Sequence, residues 1–147
     1  MKIRKKMLII LCAIMVIITS IIFIRHFVLR NEYYNISEDL ESYVSKTSVM
    51  WIDRELEIQS QSELISEIKT FIKAGNSNKT IEKGVFYYRI IDISLFLTNE
   101  QVITYEIRLD DKLFDVFINI RYKGLLIDSI TLENSEEYFN EINDFFF

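Results

Sequence analysis

Among the residues able to do chemistry, the carboxylates come first, because a pair of them can hold a hard cation or serve acid–base hydrolysis. Asp110-Asp111, with Asp115 close behind, forms such a group, but it lacks the length and the glycine of a calcium loop and reads as turn geometry. Asp92 lies inside the run Ile90–Leu97, and its position depends on strand register. A three-residue turn at 98–100 aligns Leu95 with Ile103, Ile93 with Tyr105 and Ile91 with Ile107, and faces Asp92 outward. A two-residue turn would bury it in a pocket with a raised pKa. Asp92 is therefore the candidate pocket acid, with the outward register favoured because it matches apolar with apolar.

Nucleophilic and metal chemistry find little to work with. The chain has one His and one Cys. His26 directly follows an apolar run and reads as a flank residue, and Cys12 lies in the middle of that run as a small apolar side chain. Gly75, Gly84 and Gly124 stand alone, so no phosphate loop is formed. No catalytic constellation, metal site or cofactor is assigned. Phe86, Tyr87, Tyr88, Phe96, Tyr105, Phe114, Phe117 and Tyr122 could line a cavity, but aromatics on strands more often fill a core.

The elements that position these residues begin with Met7–Ile24, eighteen uncharged residues spanning about 27 Å as a helix, close to the thickness of a bilayer's hydrocarbon. The expected organisation is a basic tail (1–6), a transmembrane helix (7–29) and a domain (30–147). Lys2, Arg4, Lys5 and Lys6 outweigh Arg25 and Arg30, which puts the N-terminus inside and exports the domain. Cleavage after Ser20 is the weaker alternative, because it would leave Ile-Ile-Phe-Ile at the new terminus. All twenty-two acids lie beyond residue 30, and so anionic a domain argues against nucleic acid as a partner. The abundance of Ile, Lys and Asn with little Ala is that of AT-rich bacterial genomes.

Beyond Asn31–Asn35, Asn35 and Glu38 suggest a capped helix start. Leu40, Tyr43, Val44, Thr47, Trp51 and Ile58 recur at three- and four-residue steps, the period of an amphipathic helix. A second helix, or the second arm of a kinked one, carries Leu64, Ile65, Ile68, Phe71 and Ile72 and stops at Gly75. Residues 75–84 read as a loop. Four strands follow (85–97, 101–109, 113–122 and 125–133), spaced as an antiparallel meander. A turn at 110–112 pairs Leu109 with Phe114, Ile107 with Val116, Tyr105 with Ile118 and Ile103 with Ile120. Lys123-Gly124 is a tight turn, and residues 133–137 open a last helix striped by Tyr138, Phe139, Ile142 and Phe146.

The expected fold is thus α+β: a transmembrane helix, one or two helices, a four-stranded antiparallel meander and a short C-terminal helix. That element order is similar to the cystatin-like and NTF2-like cone folds, in which a curved sheet wraps helices. Single-pass subunits of secretion and conjugation machines carry exported NTF2-like domains, and the order here is similar to theirs. The function expected is a non-enzymatic, membrane-anchored interaction module of the cell envelope. Its partners would be the bilayer, through residues 7–29, and a protein or a second copy of the chain. The alternative is a tethered small-molecule binder or hydrolase with a pocket in the cone. Three consecutive Phe on one helix cannot all face one sheet, so Phe145 or Phe147 is left for a protein contact.

Overall fold

A computed structural model describes residues 2–77, 89–132 and 136–147. Its first element, α1 (Lys2–Glu38), is a single helix of 37 residues. The expected break between an anchor and a separate helix at Asn35 is absent. No Pro or Gly interrupts this segment, and the stripe Leu29, Tyr33, Ile36, Leu40 continues at steps of four, three and four. The polar stretch that suggested a boundary marks a change of surroundings. Residues 7–28 leave their apolar side chains uncovered, whereas Leu29 and Tyr33 are buried in the core. The boundary expected at residue 29/30 therefore falls within one continuous helix.

The largest correction concerns residues 40–58, expected to be helical. They form one turn, α2 (Leu40–Tyr43), and then β1 (Val44–Trp51) and β2 (Arg54–Glu55). The helical period was imitated by a β-bulge. Val44 pairs with Leu97 and Lys46 with Phe96, so Ser45 is an extra residue in the ladder. The inserted residue converts an alternation of two into steps of four and three near Val44, before Val49 resumes the strand period. Between residues 36 and 74 there is consequently one strand hairpin and one full helix, α3 (Gln61–Ala74). Ser60 caps α3 by accepting from the Glu63 amide, and Gly75 ends it as expected.

The meander is present as β4 (Arg89–Leu97), β5 (Val102–Asp110), β6 (Asp115–Tyr122) and β7 (Leu125–Leu132). Two flanking additions enlarge it. β1 joins the β4 side, and β3 (Asn76–Ser77) joins β7, giving seven strands in the order β2-β1-β4-β5-β6-β7-β3 rather than four. Residues 78–88 and 133–135 lie outside the described residues. With them lie the rest of the expected loop, the start of the first strand with Phe86, Tyr87 and Tyr88, and the acid Glu133 of the last helix start. That helix, α4, is described from Glu136 to Phe146.

Register decides which side chains meet. The β4/β5 pairing is the outward-Asp92 register, with Ile91 opposite Ile107, Ile93 opposite Tyr105 and Leu95 opposite Ile103. The β5/β6 pairing slips two residues from expectation: Leu109 faces Val116, Ile107 faces Ile118 and Tyr105 faces Ile120. Asp110 is the cause. Its Oδ1 accepts from the amides of Lys112 (2.9 Å) and Leu113 (3.2 Å), and Phe114 turns back with φ +53°, so the loop holds four residues. A slip of two preserves every face, because the side-chain period of a strand is two. The Lys123-Gly124 turn forms as expected, both residues having positive φ. A second bulge, at Ile127, removes the clean alternation from β7.

Helices α1, α3 and α4 cover one face of the sheet, and the core lies between the layers. Ile91, Ile93, Leu95, Ile103, Ile107, Leu109, Val116, Ile118 and Ile120 meet Leu64, Ile65, Ile68, Phe71, Phe139 and Ile142, all buried. The architecture is α+β with helices on one face of an antiparallel sheet.

Candidate interaction surfaces

The pleat sends every second residue of the meander to the side away from the helices. A straight row there runs across five strands through Met50, Asp92, Glu106, Asn119 and Ser129. Oε1 of Glu106 accepts from Nε of Arg108 (2.6 Å) and Nδ2 of Asn119 (3.0 Å), while Ser129 Oγ donates to Asn119 Oδ1 (2.8 Å). Asp92, the candidate pocket acid, stands at the end of this ladder, outside the space between helices and sheet. Partial burial raises its pKa, the charge of Glu106 adds to the rise, and Arg108 opposes it. The ladder lets a polar face shed water without leaving these donors and acceptors unpaired.

The other residues singled out for chemistry have structural roles. Asp110 is buried and shapes its turn, and Asp111 lies 3.8 Å from the Arg89 guanidinium. Among the described residues, no three His, Cys, Asp or Glu side chains are grouped to hold a metal ion. Cys12 is exposed on the apolar part of α1. Of the candidate cavity aromatics, Tyr105 and Tyr122 are buried, while Phe96 and Phe114 are on the surface.

The junction of α1 with the sheet is a second bonded region of the surface. Nε2 of His26 donates to the Leu126 carbonyl (3.1 Å). Arg30 Nη2 and the Tyr34 hydroxyl donate to Asp128 Oδ2 at 2.9 and 2.6 Å. Asp128 points to the helices because the bulge at Ile127 sets it opposite Ile120, an inward residue. Glu32 accepts from Lys123 (2.6 Å) and from the Tyr122 hydroxyl (2.8 Å). The Lys123 bond holds the Glu32 carboxyl below its ordinary pKa against the opposing effect of burial. Deeper in, the hydroxyls of Tyr33 and Tyr105 meet at 3.3 Å, and burial pushes Tyr33 up to about 12. His26, Arg30 and Tyr34 thus hold α1 to β7, while Glu32 reaches the end of β6 and Tyr33 reaches β5. In the strand order, β1 and β2 lie on the far side of the sheet from β7.

That far side ends in an apolar tip. Ile52 and Asp53 form the two-residue loop between Trp51 and Arg54, which pair across it. Ile52 has φ +57° and is 71% exposed. A β-branched residue in left-handed backbone costs on the order of 1–3 kcal/mol, and such strain gathers at working surfaces. Phe147 lies beside this loop, its ring edge-to-face with Trp51 at 4.8 Å and under the Arg89 guanidinium at 5.4 Å. Phe145 has a different fate from Phe147: it is half-buried against the core and meets Phe146 edge-to-face. Ile52 carried no sequence signal as a turn, because residue 51 read as the middle of a helix.

No protein-family model, curated protein or solved structure matches this chain. The fold is therefore described by its own topology.

Proposed function

We propose that this chain is a single-pass protein of the bacterial cell envelope whose exported α+β domain is a non-enzymatic interaction module. The observation that carries this reading is the division of α1. Eighteen uncharged residues (7–24) are left uncovered by the described residues of the domain, and the last third of the same helix is built into the core. A rigid helix between bilayer and domain holds a surface at a set height and angle, which suits a scaffold or accessory subunit. The more basic N-terminal flank supports a cytoplasmic N-terminus and an outer domain. The helix-facing side of the sheet is packed with Ile, Leu, Val and Tyr, which supports a structural rather than a pocket role for that side.

The partner surface under this reading is the tip formed by Trp51, Ile52 and Phe147. It lies four strands from β7, about 19 Å at the usual strand spacing. A C-terminal alkaline phosphatase fusion should be active and a cytoplasm-only fluorescent fusion dark, with the protein resisting carbonate extraction. The reverse fusion pattern would overturn the orientation, and a soluble product shortened at Ser20 would overturn the anchor. A photo-crosslinking side chain at Ile52 should capture a protein or a second copy that the same group at Asp92 does not. Equal capture at both positions would remove the tip as the contact.

A further inference from the structure

We propose that the sheet rests on the bilayer by its β7 edge, with Leu126 at the boundary between hydrocarbon and headgroups. The inference builds on the membrane-anchor reading and adds a second point of contact. From Met7 to His26 there are twenty residues, about 30 Å of helix and the thickness of a hydrocarbon core. The membrane surface thus falls at the level of His26. That residue bonds to the Leu126 carbonyl, so β7 begins at the same level. The apolar exposure of α1 also runs past Ile24, since Phe27 and Val28 are both uncovered.

The β7 edge suits that position. Among the described residues, β3 pairs with Ile130 and Thr131, and the first half of β7 has no strand on its outer side. An open strand edge invites pairing with other chains unless something covers it. Here His26 satisfies the Leu126 carbonyl, and the Leu126 side chain is exposed beside it. Arg121, exposed and opposite Leu126 in the ladder, and Arg25, the exposed neighbour of His26 on α1, are cations flanking this point. An exposed apolar side chain flanked by cations matches an anionic lipid surface.

The test places an environment-sensitive fluorophore on single cysteines in the full-length Cys12→Ala protein, in nanodiscs of mixed zwitterionic and anionic lipid. Positions 15, 27, 52 and 126 are labelled in turn, and lipids carrying shallow or deep nitroxide quenchers are added. Label at 126 should lose fluorescence to the shallow quencher much as label at 27 does, whereas label at 52 should keep it. Arg121→Cys, opposite Leu126 in the ladder, serves as the neighbouring site should Leu126→Cys alter the circular dichroism, with the same loss expected. Quenching at 27 without quenching at 126 or 121 would overturn the docked edge and leave the anchor standing. Absence of deep quenching at 15 would instead overturn the anchor and the docking with it.

Discussion

Arg30 and Asp128 are 98 residues apart in the chain and 2.9 Å apart in space, and this pair fastens the apolar helix to the last long strand of the sheet. Asp128 is the more buried partner, its side chain 9% exposed against 40% for Arg30, and it also accepts from Tyr34. The Ser129 amide donates to the other Asp128 oxygen, so removing the acceptor strands at least three donors, while removing Arg30 leaves Tyr34 in place. Asp128→Ala should therefore cost about 2 kcal/mol and Arg30→Ala about 0.5 kcal/mol. Urea unfolding in detergent, followed through Trp51, the single tryptophan, measures both. Equal costs would show that the helix is not held through Asp128.

The buried Tyr33–Tyr105 pair gives a sharper test, because neither hydroxyl can reach water instead. Tyr105→Phe and Tyr33→Phe should each cost about 1–2 kcal/mol, and the double variant little more than either alone. Burial raises the folded-state pKa of Tyr33 to about 12, so the folded protein keeps a proton that the unfolded chain loses near pH 10. Stability should fall as pH rises from 10 to 12, and less steeply in Tyr33→Phe. An unchanged alkaline slope in that variant would contradict the assignment.

Asp92 gives the opposite kind of pH dependence from a salt-bridged acid. Its raised folded-state pKa means that ionisation is penalised on folding, chiefly by burial and then by Glu106. Its contribution is most favourable below the ordinary carboxylate pKa and declines as pH rises through the folded value. Asp92→Asn should thus raise the melting temperature at pH 7, with the gain shrinking in acid. A lowered melting temperature at neutral pH would mean that the carboxylate makes a needed contact.

The sequence was most legible where one period ran unbroken. The faces of the β4–β6 meander followed from alternation alone, and the outward placement of Asp92 followed from aligning apolar residues across the first hairpin. Legibility failed where a single residue disturbed the period. The extra Ser45 made β1 resemble a helix, and Ile127 hid the alternation of β7. Asp110 moved one register by two without changing any face. The tip was hidden for a related reason: Ile52 occupies a turn conformation that its residue type disfavours, and Phe147 finds Trp51 only through long-range packing.

The C-terminal aromatics separate core from contact surface within three residues. Phe145 and Phe146 pack against the core, while Phe147 is 49% exposed and meets the edge of Trp51. Deleting residues 145–147 should therefore destabilise the domain by about 3 kcal/mol or more, since two largely covered aromatics are lost. Phe147→Ala should cost only about 1 kcal/mol, the order of one aromatic pair, and should shift Trp51 emission to the red as the indole meets water. If the tip is the partner surface, the same single substitution should abolish crosslinking from Ile52 with the fold intact by circular dichroism. Retained crosslinking, with the red shift present, would show that Phe147 only shields Trp51 and that the contact lies elsewhere.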